Sequence, residues 1–194
     1  MRCPAAVIAV PAPVCADLVF RPPLPAEHAQ ALRELPMGVA SKIAFATTEV
    51  PAARALQDLE VPYWCWAARG EDAAVRSVLT AFAGSPAAQE TLGTVVDDPA
   101  PWMDRLLAMN PDVRPLGDPI LKVWETDPFS RGCYSFFDEV SFDRREILAR
   151  SVGRVVFAGE HTAGDRRGTM EGAVVSGRRA AGEVAAVPPG ASRV

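Results

Sequence analysis

Two stretches near the C-terminus carry the residue types best suited to hold a ligand. Residues 153–162, Gly-Arg-Val-Val-Phe-Ala-Gly-Glu-His-Thr, predict a short buried strand that ends in small residues and one carboxylate, Glu160. Residues 168–181 predict a helix that opens directly from a glycine turn. A strand, a glycine-bearing loop and a helix N-terminus form a crevice at the end of a sheet, where α/β proteins usually hold nucleotide-like ligands. We therefore expect a ligand site here.

The helix of the second stretch is rich in small residues. Gly172, Gly177 and Gly182 lie inside it, and each costs up to about 1 kcal/mol relative to alanine. Small side chains also recur at helical spacing on one predicted face, at Ala173, Ser176, Gly177, Ala180 and Ala181. One explanation is tight packing of the helix against a sheet. The other is close approach of its first turn to a flat ligand, with free N–H groups aimed at a negative atom.

Only two of the twenty basic residues are lysines, Lys42 and Lys122. Lys42 lies in residues 39–48, which alternate as a strand and place Lys42 on one face with Ala40 and Ala44. A compact amine that can lose its proton, in a chain that otherwise uses arginine, suggests selection for its chemistry. The alternative is a lysine on an edge strand that discourages aggregation.

Composition argues against several classes of protein. The net charge is −4 and no dense basic run occurs, so no nucleic-acid partner is expected. Four widely spaced cysteines and two histidines predict neither a metal site nor a disulfide framework, which fits a reducing, cytoplasmic location. No stretch approaches the roughly 20 apolar residues of a membrane span, so no membrane association is expected. A secretory signal in residues 1–20, interrupted by prolines, is a lesser alternative.

Hydrophobic periodicity and turn residues predict the elements that position these groups. The chain is long enough for one or two domains. Residues 19–25 contain three prolines and predict a turn, and residues 110–119 predict a loop. The expected strands are 6–10, 39–48, 61–67, 119–126 and 155–158, together with 75–82, which is also compatible with a helix. The expected helices are 26–35, 86–92, 102–109 and 170–186.

Four ordered parts of the chain resemble the flavin-dependent amine oxidases. They are residues 7–11 with 20–25, residues 35–43, residues 124–135, and the two C-terminal stretches. The resemblance implies an α+β fold of the FAD-linked reductase and amine-oxidase type. Residues 1–12 and 128–194 would form the C-terminal part of the FAD-binding domain, and residues 13–127 would form a mixed-sheet substrate-binding domain.

The same resemblance assigns roles around the flavin ring. Lys42 would hold a water at flavin N5 and assist reoxidation by oxygen. Trp124 and Tyr134 would wall the site, and such an aromatic slot suits amines because it accepts their apolar flank and attracts residual positive charge. Phe136, in the same stretch, is expected to be a core residue.

Five further residues are implied to bind the cofactor. Gly159 and Glu160 resemble the signature that binds FAD hydroxyls, although Glu160 is alternatively a solvated loop carboxylate. Thr169 and Met170 match residues whose backbone reaches the pyrimidine edge. Cys133 stands where monoamine oxidases carry a thioether bond to the flavin, yet Thr169 resembles polyamine oxidases and histone demethylases, which hold FAD non-covalently. Covalent and non-covalent attachment both stay open.

One family feature does not occur in the sequence. Family members begin with a strand, a Gly-x-Gly-x-x-Gly turn and a helix that bind the ADP half of FAD, and none of the glycines here has that spacing. We therefore expect the N-terminal dinucleotide-binding βαβ unit to be missing. The chain would be a gene fragment, a truncated sequence, or one subunit of an enzyme whose N-terminal half is a separate chain.

The resemblance implies an FAD-dependent amine oxidase acting on a small-molecule amine. A C–N bond would be oxidised to an imine with hydride transfer to flavin, and O2 would reoxidise the flavin to give H2O2. A catalytically inactive remnant that serves as an interaction module is one alternative. Another is a related flavoenzyme of the L-amino-acid oxidase or desaturase type. Lys42 argues against the desaturases, and no arginine for a substrate carboxylate is identified.

Overall fold

A computed structural model gives the structure of the chain and describes residues 3–94 and 97–187. The α-helices are α1 Ala12–Cys15, α2 Ala26–Glu34, α3 Pro86–Thr91, α4 Ala100–Met109, α5 Glu139–Phe142, α6 Arg145–Ala149 and α7 Met170–Ala185. The strands are β1 Ala6–Ile8, β2 Ser41–Thr47, β3 Ala55–Asp58, β4 Tyr63–Arg69, β5 Val75–Ala83, β6 Pro115–Val123 and β7 Val155–Phe157. Two short 3-10 helices, Glu160–Thr162 and Gly164–Arg166, connect β7 to α7.

The chain divides into two compact units. The terminal unit comprises Met1–Gly38 and Thr126–Val194, and the central unit comprises Val39–Glu125. The predicted domain boundaries differ from these limits at two points, because residues 13–38 and residues 126–127 belong to the terminal unit. Residues 1–2 and 188–194, the ends of the predicted FAD-binding segments, lie outside the described residues. Which unit binds FAD and which binds substrate stays a prediction.

The central unit is built on a five-stranded sheet in the order β3-β4-β5-β2-β6. All its strand pairs are antiparallel, and β2 lies between β5 and β6. Burial alternates along β2, as period-2 geometry requires when one face of a sheet is covered. Its inward side chains join one apolar cluster with α3 and α4 that includes Ile43, Leu79 and Trp102.

The terminal unit contains the only parallel pair among the described strands, β1 with β7. Ala6 lies opposite Val155, and Ile8 lies opposite Phe157. Phe157 packs into a cluster with Leu32 of α2 and Leu148 of α6, while α7 packs through Ala180 in a second, smaller cluster. Parallel and antiparallel pairing therefore both occur, divided between the two units.

Two predicted strands were placed wrongly. The strand predicted at 6–10 ends at Ile8 and is not buried, since Val7 is 46% exposed. The strand predicted at 119–126 begins four residues earlier, at Pro115, and includes part of the predicted loop. Proline is tolerated there because β6 is an edge strand, where a missing N–H interrupts no ladder.

The small-residue face of α7 was also predicted wrongly. Ser176 and Ala180 are buried together with Gly172, whereas Ala173, Gly177 and Ala181 are exposed. The buried positions repeat every four residues, which defines one narrow stripe along the helix.

Among the described helices, none combines the length and the apolar composition of a membrane-spanning segment.

Candidate flavin-binding site

The loop after β7 depends on a glycine. Gly159 has φ +118°, and a Cβ atom there would lie 2.6 Å from Cε1 of His161. A side chain at this position would therefore be strained in its backbone and would clash with the buried imidazole. The glycine allows the chain to turn sharply, so that Glu160 directly follows the carboxyl end of the strand, as the sequence predicted.

Glu160 is bound by the protein's own donors. Its Oε1 accepts the Ser135 backbone N–H at 2.9 Å. Its Oε2 accepts the Ser135 hydroxyl at 2.7 Å and the Gly168 backbone N–H at 2.5 Å. These three bonds, to a partly buried side chain, argue against a carboxylate that is only solvated. Because Gly168 precedes Thr169, Glu160 also lies close to the start of α7.

The start of α7 matches the predicted glycine turn and helix opening. Gly168 has φ +70°, and Thr169 is the N-cap residue. The Thr169 hydroxyl donates to the Arg166 carbonyl at 2.6 Å and accepts the Gly172 N–H at 2.9 Å. The remaining first-turn amides belong to Met170 and Glu171, and they have no acceptor within the helix. Met170 is 88% exposed, so this positive end of the helix is accessible.

The segment that carries Cys133 and Tyr134 pairs with residues 36–38. The Gly38 N–H donates to the Tyr134 carbonyl at 2.8 Å, and the Cys133 N–H donates to the Gly38 carbonyl at 2.9 Å. A Cβ atom on Gly38 would lie 3.1 Å from the Cys133 sulfur, so glycine permits this close approach. Phe136, predicted to be core, is 45% exposed, and that prediction was wrong.

The aromatic ring of Tyr134 lies beside the helix opening. A Cβ atom on Gly168 would lie 3.6 Å from Cδ2 of Tyr134. Tyr134 is 42% exposed, which leaves part of its ring available to a ligand. The terminal unit thus places six predicted site residues on three adjoining segments: Cys133, Tyr134, Gly159, Glu160, Thr169 and Met170.

The other two predicted residues lie together in the central unit. Lys42 projects from the outer face of β2, and its Nζ lies 5.9 Å from the centroid of the Trp124 ring. The Trp124 N–H donates to the Ala40 carbonyl at 3.2 Å, which ties the end of β6 to the start of β2. Because β2 is an interior strand, the interpretation of Lys42 as an edge-strand lysine is wrong.

An aromatic pair beside Lys42 was not predicted from the sequence. Phe82 lies opposite Lys42 across β2 and β5, and Trp64 lies opposite Phe82 across β4 and β5. The two rings stack with centroids 6.1 Å apart. The alternation of Trp64 and Trp66 with buried residues shows that they share an outward face, but only the pairing register places that face beside Lys42.

The histidine of the C-terminal stretch is buried and almost inaccessible to solvent. His161 is buried, and burial lowers its pKa below the usual value of 6.5, although the Glu160 carboxylate acts in the opposite direction. The imidazole is therefore neutral at pH 7. No cluster of three potential metal ligands occurs within residues 3–94 and 97–187. Two surface clefts include none of the predicted site residues in their walls.

Comparisons with known proteins show the family. The sequence model described as flavin containing amine oxidoreductase matches residues 1–185, and the chain belongs to this family. Bovine (Bos taurus) flavin-containing amine oxidase A is 29% identical over 210 residues, covering 94% of this chain and 37% of that protein. A histone demethylase-like protein A of Aspergillus fumigatus is 39% identical over 66 residues, covering 34% of this chain and 6% of that protein.

A solved structure shows the same fold. Cyclohexylamine oxidase from Brevibacterium oxydans IH-35A superposes with a TM-score of 0.74 at 22% identity, covering 93% of this chain and 42% of that chain. The chain therefore spans less than half the length of these relatives. The predicted amine-oxidase type of fold is confirmed, and the cofactor of the family is a flavin, FAD.

The residues of the terminal unit fit one half of that cofactor. The accessible first turn of α7 suits the electronegative edge of a flavin ring, and the half-exposed Tyr134 supplies an aromatic surface beside it. Glycines at 159 and 168 keep this part of the backbone free of side chains. The sequence offers no matching Gly-x-Gly-x-x-Gly turn for the pyrophosphate. The residues of the terminal unit therefore fit the flavin ring and the ribityl chain attached to it.

Proposed function

We propose that this chain supplies the flavin-ring and substrate half of an FAD-dependent amine oxidase. The observation that carries the proposal is the junction at Glu160, where three flavin-signature segments meet through one carboxylate. A C–N bond of a small-molecule amine is oxidised to an imine, which water hydrolyses to a carbonyl compound and ammonia. When bound, FAD would supply the two-electron redox chemistry, in which a hydride equivalent leaves the amine and O2 is reduced to H2O2.

The chain's own residues divide the work between binding and reaction. The first-turn amides of α7, at Met170 and Glu171, stabilise negative charge on the pyrimidine edge. Trp124 offers an aromatic face to the apolar flank of the amine, and Lys42 beside it holds the water that assists reoxidation of the flavin by oxygen. Tyr134 offers an aromatic face in the terminal unit. The amine binds neutral, so no protein base is needed, which is consistent with a buried, neutral His161.

Attachment of the flavin is proposed to be non-covalent. The Thr169 hydroxyl, which caps α7, donates one hydrogen bond to Arg166 and accepts another from Gly172. The Cys133 sulfur lies close to Gly38. Acid denaturation of the yellow protein distinguishes the two forms of attachment. Flavin left in solution excludes a thioether to Cys133, whereas flavin precipitated with the protein establishes one.

The ADP half of FAD is proposed to be held by a separate N-terminal half, acting with this chain in the cytoplasm. The N-terminal half could pair with one edge of the β1–β7 pair. The β7 edge is already occupied, because Val155 exchanges both backbone hydrogen bonds with Val152 and the Phe157 carbonyl accepts a hydrogen bond from Arg179 at 2.5 Å. On the β1 side, Val7 is half exposed and has no strand partner among the described residues apart from β7. A further strand would add there, because the open edge of a sheet can pair through its backbone N–H and C=O groups with another chain.

Flavin binding and reoxidation test the proposal. We expect FAD to raise the melting temperature of the chain together with a Gly-x-Gly-x-x-Gly partner. In that complex, Lys42→Met should slow reoxidation of the reduced flavin by O2 at least tenfold. The matched Lys122→Met, at the neighbouring position of β6, should leave the rate within about twofold. A colourless chain that FAD does not stabilise, with or without the partner, would instead support the inactive remnant.

A further inference from the structure

We propose that Glu160 is a positioning residue that clamps the Tyr134 segment to the start of α7. Its two oxygens accept three hydrogen bonds, two from Ser135 and one from Gly168. Ser135 follows Tyr134 in the chain, and Gly168 precedes Thr169. One carboxylate therefore fixes the distance between the two segments that frame the accessible helix end.

Besides the Glu160 bonds, the two loops are joined by the Arg167 guanidinium, which lies 4.6 Å over the Phe137 ring. The Tyr134 segment is held from its other side by residues 36–38, through the bridge between Met37 and Ser135. The opening of α7 is held by its own cap on Arg166 and Gly172. Neither set of bonds joins the two segments directly. A Cβ atom on Gly168 would lie at an ordinary van der Waals distance, 3.6 Å, from Cδ2 of Tyr134, which is consistent with two segments that the Glu160 bonds hold side by side.

The geometry separates this role from that of a simple ligand for FAD hydroxyls. A carboxylate offers about four acceptor positions, and three are already used by the protein. A glutamine side chain has one acceptor end and one donor end. In either orientation, the amide introduced by Glu160→Gln would turn its NH2 group toward a backbone N–H, at Ser135 or at Gly168, and that bond would be lost. A cofactor hydroxyl can donate or accept, so a residue that only bound a hydroxyl would tolerate the same change.

Amide hydrogen exchange of the full chain without flavin tests the clamp. The variants are Glu160→Gln and Ser135→Ala, which removes only the hydroxyl and keeps both backbone donors. In Glu160→Gln we expect exchange at Ser135 or Gly168 to accelerate about tenfold or more. We also expect loss of the nuclear Overhauser contact between the Tyr134 ring and the Gly168 Hα. Ser135→Ala should stay within about threefold, with the ring contact retained.

Two reference amides show whether the effect is local. Ala180 in the buried stripe of α7 and Leu79 in β5 should exchange as in the wild type. An equal acceleration at Ala180 would overturn the proposal, because the whole helix would then be loosened. So would unchanged exchange and an unchanged ring contact in Glu160→Gln, or unprotected Ser135 and Gly168 amides in the wild type.

That the clamp positions a flavin ring rests on the proposed function. The clamp itself is tested by hydrogen exchange on the chain without flavin. In the reconstituted complex, Glu160→Gln should weaken FAD binding about tenfold and shift the visible absorption of the bound flavin, while Ser135→Ala, which removes one of the three clamp bonds, should have a smaller effect on both. If wild-type protein binds no FAD, the proposed function fails and the exchange result still decides the clamp. If Glu160→Gln binds FAD with an unchanged spectrum, the ring is not positioned through Glu160, and the inference fails.

Discussion

Each of the two units of this protein is stabilised internally by a different kind of contact. The central unit has a five-stranded sheet and one continuous apolar cluster, in which Trp102 packs edge-on against Tyr63. The terminal unit has a parallel pair of three-residue strands and two separate clusters. Its loops are tied instead by charged side chains, with Glu160 between two segments and Arg179 on the carbonyl groups of Ala149 and Phe157.

This difference matches the distribution of predicted roles. The cofactor-binding residues all lie in the terminal unit, whereas Lys42 and Trp124 lie in the central unit. Apolar packing gives rigidity in proportion to buried area, while polar ties allow backbone amides and glycines to stay accessible at a loop. A ligand cradle needs accessible amides, and a sheet that presents side chains needs a stable core. The two units should therefore respond differently to mutation and to a change of pH.

The largest expected effects come from cavities in the two cores. Leu79→Ala should lower the free energy of unfolding by about 3–5 kcal/mol, and Leu148→Ala by about 2–3 kcal/mol because its cluster is smaller. All four tryptophans lie in the central unit, at positions 64, 66, 102 and 124, so their fluorescence monitors that unit. Denaturant unfolding followed by fluorescence should therefore report Leu79→Ala most strongly. A shift of equal size from Leu148→Ala would contradict the separation of the cores.

A matched pair of glycines in α7 sharpens the comparison at smaller scale. A methyl group on Gly172 would overlap the carbonyl oxygen of Arg166, whereas one on Gly177 would meet nothing within 4 Å. Gly172→Ala should destabilise the terminal unit by about 1–3 kcal/mol, and Gly177→Ala should stabilise it by up to about 1 kcal/mol. Thermal unfolding by far-UV circular dichroism measures both. Equal effects from the two variants would show that α7 does not approach Arg166 as described.

The smallest expected effect is a pH dependence of the terminal unit, which contains both histidines. Burial lowers the pKa of His28 and of His161 below 6.5, and Arg150 lowers that of His28 further. The folded state therefore favours neutral imidazoles. Their contribution to stability is complete above pH 6.5 and is lost as pH falls toward the lowered values, by at most about 1.4 kcal/mol per pH unit for each.

Circular dichroism melts between pH 7 and 5 measure this loss above the range where most carboxylates titrate. His28→Phe, which keeps an aromatic ring against Phe157, should reduce the slope. Tryptophan fluorescence of the central unit is the reference and should change little over the same range. A slope that His28→Phe leaves unchanged would assign the pH dependence to other groups.

Local signals were sufficient for most elements. The glycine turn, the N-cap Thr169 and the following helix were predicted because capping and backbone preferences act within a few residues. The sequence of residues 75–82 was compatible with a helix or a strand, and the structure shows the strand β5, paired with β2 and β4. The four-residue strand β3 was not, because so short an element depends on its pairing with β4.

What the sequence by itself determined was the order of elements and the identity of the loop residues around Glu160, since turns, caps and glycine positions are local. Only the tertiary structure decided which residues share a face or a hydrogen bond. Phe82 lies opposite Lys42, and Trp64 lies opposite Phe82, because of the register of the sheet, which depends on pairing between strands that are distant in the sequence. Glu160 was bound by Ser135, twenty-five residues away, because a carboxylate drawn partly out of water takes donors from whichever segment packs against it.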